Sequence, residues 1–274
     1  MLKQRILSAL ILIPLVVFGV LNLGGAGFAL VVALIMVLAG WEWTSLAALP
    51  DVAARALFMA ALLVALMLIW QQAQVEWLVN AVLWIAMAWW LFTLFWITHP
   101  GLGADPALPQ YRLAKAALGV GLLASAWLAL AVLHGRPDQG PHWVLYLLVL
   151  VWSADSGAYF AGRQWGRTKL APLVSPGKTW EGVLGGLIVC LGVATGYARF
   201  IGLDGAVFAS LVLVSLVTVL FSIAGDLLES LLKRQRGIKD SGRMIPGHGG
   251  ILDRIDSLLA AAPVFLFGLR WIDL

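Results

Sequence analysis

Residues 230–256 read SLLKRQRGIKDSGRMIPGHGGILDRID and hold six basic residues, three aspartates, one histidine and five glycines. The carboxylates in and around this stretch come in pairs at helical spacing. Asp226 and Glu229 are three residues apart and Lys233 follows four later, so one helix face carries all three. Asp253 and Asp256 repeat the three-residue interval. Two such pairs meeting across a cleft would make an all-oxygen cation site. Hard ligands of this kind suit Mg²⁺, which keeps several waters and shares its shell with substrate phosphates. The intervening loop, GIKDSGRMIPGHGG, supplies the complement. Its glycines let backbone N–H groups converge on an anion, Lys239 and Arg243 carry charge that can be directed at phosphates, and His248 between glycines reads as a further phosphate contact. A second polar segment, residues 152–182, contains Asp155 and the run SPGKTWEG. Its Ser/Pro/Gly loop, which includes Ser175, and Thr179 suit a helix start with Glu181 in the first turn, and Lys178 stands where a helix N-terminus would meet a phosphate. The chemistry implied is the handling of a polyphosphate with a divalent metal.

The elements that must position these groups are membrane spans. The chain has 274 residues, 62% hydrophobic and 12% charged, with a mean hydropathy of +0.95. A water-facing globule would carry about a quarter charged residues and is excluded. Cutting at polar, Gly and Pro clusters gives nine apolar spans, at about 5–22, 27–48, 54–70, 75–97, 114–133, 142–161, 180–203, 206–232 and 254–272, each near the roughly 20 residues that cross a bilayer core. The fold class is therefore all-α, a polytopic transmembrane bundle. The basic, apolar N-terminus has the look of a signal peptide but lacks a clean cleavage site, so it reads as a retained first helix. NLGGAG is expected as a tight turn, and HGRPDQGPH as a loop that cannot be helical. Trp41, Trp43, Trp89 and Trp90 read as interfacial or packing aromatics, Cys190 as an inert core thiol, and Glu42 as a side chain reaching headgroup water at an inner helix end.

With the N-terminus in the cytoplasm, 15 of the 18 Lys and Arg residues fall on the inner side and 3 on the outer, which is the asymmetry that sets topology. Leu274 is then outside. The sequence pI near 9.5 is accounted for by this bias, so no nucleic-acid partner is implied. On charge alone the basic cluster would need no other explanation, but topology accounts for neither the aspartates nor the histidine and glycines. Asp155 and Asp226 sit within or at the ends of apolar spans, where a carboxylate costs at least a few kcal/mol unless it finds a cation or water. Both polar segments fall on the inner side, which predicts a cleft at the cytoplasmic face. The chain divides into residues 1–140, a multi-spanning scaffold poor in chemistry, and residues 141–274, which carry the site, within one integral unit.

The pattern Ser230, Lys233-Arg234, Lys239-Asp240, Pro246, His248-Gly249-Gly250 and Asp253-Arg254-Ile255-Asp256 resembles the signature of the phosphatidate cytidylyltransferases, or CDP-diacylglycerol synthases. The upstream ADSGAYFAGRQWGRTKLAPLVSPGKTWEG and GDLLES resemble that family too, with Ser156 as a mild departure. The resemblance implies an Mg²⁺-dependent nucleotidyl transfer in phospholipid biosynthesis, from CTP to phosphatidic acid with release of pyrophosphate. It implies a paired metal site on Asp226 and Asp253, with a monovalent cation such as K⁺ as the second ion, in a bacterial inner-membrane protein among membrane lipids, and it leaves room for a homodimer. Combined with the residue chemistry, it places metal on Asp226, Asp253 and Asp256, with Lys239 beside them in catalysis. Ser175, Lys178, Lys233, Arg234, Arg243, His248, Arg254 and Asp155 are then the substrate-binding candidates. Other readings share part of the pattern: a CTP-dependent lipid kinase, a cytidylyltransferase for another lipid phosphate, and a transporter of a phosphorylated solute. A transporter would place its charges near the midplane, where both sides can reach them.

Overall fold

The computed structural model describes residues 2–73, 75–105, 108–137, 139–242, 244, 249–272 and 274, with side chains from Leu10 onward. The described helices are α1 (Leu2–Asn22), α2 (Gly25–Leu46), α3 (Val52–Gln72), α4 (Glu76–Thr98), α5 (Pro109–His134), α6 (Gly140–Trp165), α7 (Trp180–Phe200), α8 (Gly205–Gln235) and α9 (Leu252–Arg270). Seven of them, α2 to α8, are long and apolar enough to cross a membrane. The chain is an integral membrane protein of the all-α class, and the apolar runs locate its helices to within a few residues.

Two local expectations are corrected. Between α6 and α7 the chain forms a hairpin, β1 (Lys169–Ala171) against β2 (Ser175–Thr179), with Lys169 opposite Thr179 and Ala171 opposite Ser175. Pro176 and Gly177 argue against a strand in a larger sheet, but a two-stranded ribbon has free edges that tolerate both. Within HGRPDQGPH, expected to be non-helical throughout, His134 still belongs to α5 and α6 begins at Gly140 with its proline in the first turn, where no intrahelical N–H bond is lost.

Helix packing follows membrane rules. α6 and α7 are in close contact along small residues: a Cβ on Gly157 would meet Val189, one on Gly185 would collide with Ala161, and one on Gly186 would press on the Ala154 carbonyl. Between membrane helices, such small-residue faces allow the backbone approach that dispersion needs. Buried indoles find acceptors across helices. Trp43 donates to the Lys115 carbonyl at 2.8 Å and Trp127 to the Ala29 carbonyl at 2.8 Å, tying α2 to α5 twice. Cys190 is buried, as expected. α8, with 31 residues, is about 46 Å long at 1.5 Å per residue, against an apolar core of about 30 Å. Its last turns carry Asp226, Glu229 and Lys233.

Candidate active site

The site forms where the end of α8 meets the start of α9. The two helices approach so closely at Gly225 that a Cβ there would collide with the Asp256 carbonyl. This brings the two carboxylate pairs together. Lys233 Nζ lies 2.8 Å from Glu229 Oε2 and 2.7 Å from Asp253 Oδ1, with the three side chains 13%, 3% and 7% exposed. Asp253 also accepts from the Ser241 N–H at 3.2 Å and, through Oδ2, from the Gly250 N–H at 2.8 Å. Asp253, in the first turn of α9, thus reaches back to a loop N–H three residues earlier. Gly249 between them has φ +85°, a conformation costly for any side chain, and a Cβ would also press on Asp253 Oδ2. Glu229 Oε1 is buried and has no hydrogen-bond donor among the described residues. Asp256 and Asp226 are electrostatic neighbours, and Asp256 Oδ1 accepts from the Ser257 N–H at 2.6 Å.

The hairpin supplies a second cation. Lys178 Nζ is 2.8 Å from Asp226 Oδ2, while Ser230 Oγ donates to Asp226 Oδ1 at 3.3 Å. Asp155 on α6 is within electrostatic reach of both Lys178 and Asp226. Two contacts place the hairpin. Thr179 caps α7 by accepting from the Gly182 N–H at 3.2 Å, and the Glu181 carboxylate accepts from the Thr168 N–H at 3.1 Å. Thr179 and Glu181 thus act at the helix start as their positions predict.

Four consecutive residues at the end of α8 each hold a different element. Lys233 reaches α9. Arg234 Nε donates to the Val174 carbonyl of the hairpin turn at 3.3 Å. Gln235 Nε2 donates to the Pro100 and Leu102 carbonyls, between α4 and α5, at 2.9 and 3.0 Å. Arg236 Nε donates to the Ser45 carbonyl near the end of α2 at 2.9 Å. The basic run is thus a set of structural donors, a use that charge counting does not disclose.

The structure brings Asp155, Lys178, Asp226, Lys233, Asp253 and Asp256 into one cluster. Both lysines, expected on phosphates, are paired with carboxylates here. Lys239 lines an adjoining cleft of about 410 Å³ with Ser45, Asp240 and Ser241. Ser175 is half-buried in β2, and Arg254 is exposed in the first turn of α9. Arg243 and His248 lie outside the described residues.

Glu42 corrects its expectation. It is 4% exposed and turned away from headgroup water. Its Oε1 accepts from the Ile251 N–H at 3.1 Å, and its Oε2 from the Leu252 N–H at 2.8 Å and the Ser241 hydroxyl at 3.1 Å. A lone ionisable residue in an apolar span was the available signal.

The donor set suits a hard cation. Five carboxylates surround two lysines, and one carboxylate oxygen is buried without a donor among the described residues. Among the described residues, no three acidic, His or Cys side chains gather closely enough to enclose an ion. Mg²⁺ commonly takes one or two carboxylates and fills its shell with water and phosphate oxygens, which these residues could accommodate.

The model of the cytidylyltransferase family matches residues 3–272. A phosphatidate cytidylyltransferase of Pseudomonas aeruginosa is 43% identical over 266 residues, covering 97% of this chain and 96% of its own. The enzyme of that name from Haemophilus influenzae is 38% identical over 283 residues, covering 97% and 98%. One from Staphylococcus haemolyticus is 33% identical over 264 residues, covering 96% of each.

Proposed function

The chain belongs to the cytidylyltransferase family, and from that premise we propose that its cleft transfers the cytidylyl group of CTP to phosphatidic acid. The products are CDP-diacylglycerol and pyrophosphate. The observation that carries this reading is the cluster of Asp155, Asp226, Glu229, Asp253 and Asp256 with Lys178 and Lys233 at one end of the bundle. Confinement to one end favours an enzyme over a transporter.

A phosphate oxygen of the lipid attacks the α-phosphorus of CTP, and the bond to the β-phosphate oxygen breaks. The nucleophile is already anionic, so no strong general base is required; the obstacle is repulsion between two anions. Lys178 and Lys233, now held by carboxylates, are placed to exchange part of that pairing for incoming phosphates. Lys239, with Arg243 and His248 from the same loop, completes the proposed nucleotide contacts, and Ser175, Arg234 and Arg254 complete the rim. The Mg²⁺ proposed here would take a pair of ligands from Asp226, Asp253 and Asp256. When bound, it neutralises charge on the reacting phosphates. The surplus of carboxylate over lysine supports a second, monovalent cation such as K⁺.

We place the protein in the bacterial inner membrane with the cleft in the cytoplasm, supported by the 15-to-3 division of basic residues. A reporter active only outside the cytoplasm is expected to work when fused after Leu274 and to fail when inserted beside Lys169. The opposite pattern would separate the cleft from cytoplasmic nucleotide. A homodimer is compatible with this placement.

Isotope position tests the reaction. With purified protein, Mg²⁺, CTP and phosphatidic acid, label on the α-phosphorus is expected in the lipid fraction and label on the γ-phosphorus in pyrophosphate. A lipid kinase would instead activate a neutral hydroxyl and move the γ-label. The assay therefore includes diacylglycerol and a polyprenol. Entry of γ-label into either, without α-label in phosphatidic acid, overturns the assignment.

A further inference from the structure

Helix α9 begins without a cap of its own. Ile251 occupies the capping position and offers no side-chain acceptor, although the first turn of any helix leaves N–H donors unsatisfied. The acceptors come from Glu42 on α2, 209 and 210 positions away in sequence. Its carboxylate takes the Ile251 and Leu252 N–H groups and sets a negative charge against the positive end of the helix dipole. The same carboxylate accepts from the Ser241 hydroxyl, while the Ser241 N–H donates to Asp253. Glu42 and Asp253 thus grip one loop residue between them. The loop is cut to fit: a Cβ on either Gly242 or Gly250 would collide with the Glu42 carboxylate. A cap from a neighbouring residue would order α9 against its own loop alone. A cap from α2 fixes α9 against the body of the bundle, and with it the direction of Asp253 and Asp256.

We propose that Glu42 is a positioning residue for cytidylyl transfer, holding the start of α9 so that its aspartates face Asp226 and Lys178. This rests on the proposed reaction. The residue acts through α9 and Ser241, so its loss should lower turnover more than substrate affinity.

Glu42→Gln keeps the length of the side chain, removes its charge and turns an amide N–H₂ toward donors. In the full-length protein, kcat is expected to fall by about tenfold to a hundredfold, the scale of a small misplacement of reacting groups. KM for CTP and for phosphatidic acid should change by less than about threefold, since ground-state binding is not the target. Amide exchange should quicken in the segment holding Ser241, Gly242 and residues 249–254, and stay unchanged in α6 and α7. Unaltered exchange in that segment would overturn the proposal. So would a raised KM with kcat intact, which would make Glu42 a substrate contact. Exchange rising through α6 and α7 as well would also overturn it, as general destabilisation. Wild-type protein inert toward CTP and phosphatidic acid would overturn the reaction, while the exchange data would still decide whether Glu42 holds α9.

Discussion

Asp226→Asn is expected to abolish most turnover while the protein stays folded. The substitution keeps shape and removes one negative charge where Lys178 and the proposed metal converge. The Lys178–Asp226 pair is partly open, with side chains 26% and 34% exposed, and open pairs contribute about 1 kcal/mol or less to stability. Melting should therefore barely move. Turnover should fall by about two orders of magnitude or more, the scale of losing one element of transition-state charge stabilisation. Asp253→Asn should lose a similar factor. The double variant should lose far less than the product, because residues serving one reacting centre do not act additively. Near-normal turnover in Asp226→Asn, measured with α-labelled CTP, would reduce that carboxylate to a packing role.

Lys233→Met should damage both stability and activity. Its ammonium lies between Glu229 and Asp253, both nearly buried, and methionine keeps the apolar stem while leaving two carboxylates facing each other. Removing one partner of a buried ionic set costs about 3–5 kcal/mol, enough to lower the melting temperature by roughly ten degrees. Adding Glu229→Gln should restore much of that stability, since Asp253 keeps its bonds from Ser241 and Gly250. It should not restore turnover, because the cation beside Asp253 is still missing. A Lys233→Met protein as heat-resistant as the wild type would show that the triad does not hold α8 to α9.

What could be read in advance was what short-range periodicity encodes. Apolar runs located the helices, and the intervals among Asp226, Glu229 and Lys233 placed them on one face, which the 2.8 Å Glu229–Lys233 contact bears out. The same logic could not say that Lys233 also meets Asp253, 20 residues on, since the loop between them has no regular period. The hairpin escaped because Pro176 and Gly177 speak against strands, and their exemption depends on a ribbon having no further neighbours. Arg234 and Arg236 read as phosphate or topology charges because nothing local reveals a distant backbone carbonyl as the acceptor. Glu42 was the hardest, because its donors are the backbone of a helix start, which any sequence could provide.

The four-way grip at the end of α8 bears on how the protein is made. Chains enter the membrane from the N-terminus onward, so α8 emerges before α9. Glu229 and Lys233 are four apart on that one helix, and α8 therefore arrives with an internal counterion for its most buried carboxylate. By then Ser45, Pro100, Leu102 and Val174 have been synthesised, so the docking points for Arg234, Gln235 and Arg236 already exist. The loop with Lys239, Arg243 and His248, then Asp253, Arg254 and Asp256, and the donors for Glu42 are still to come. A nascent chain short of α9 thus has a nearly finished scaffold that lacks two of its site carboxylates, and the last helix to be translated completes the site.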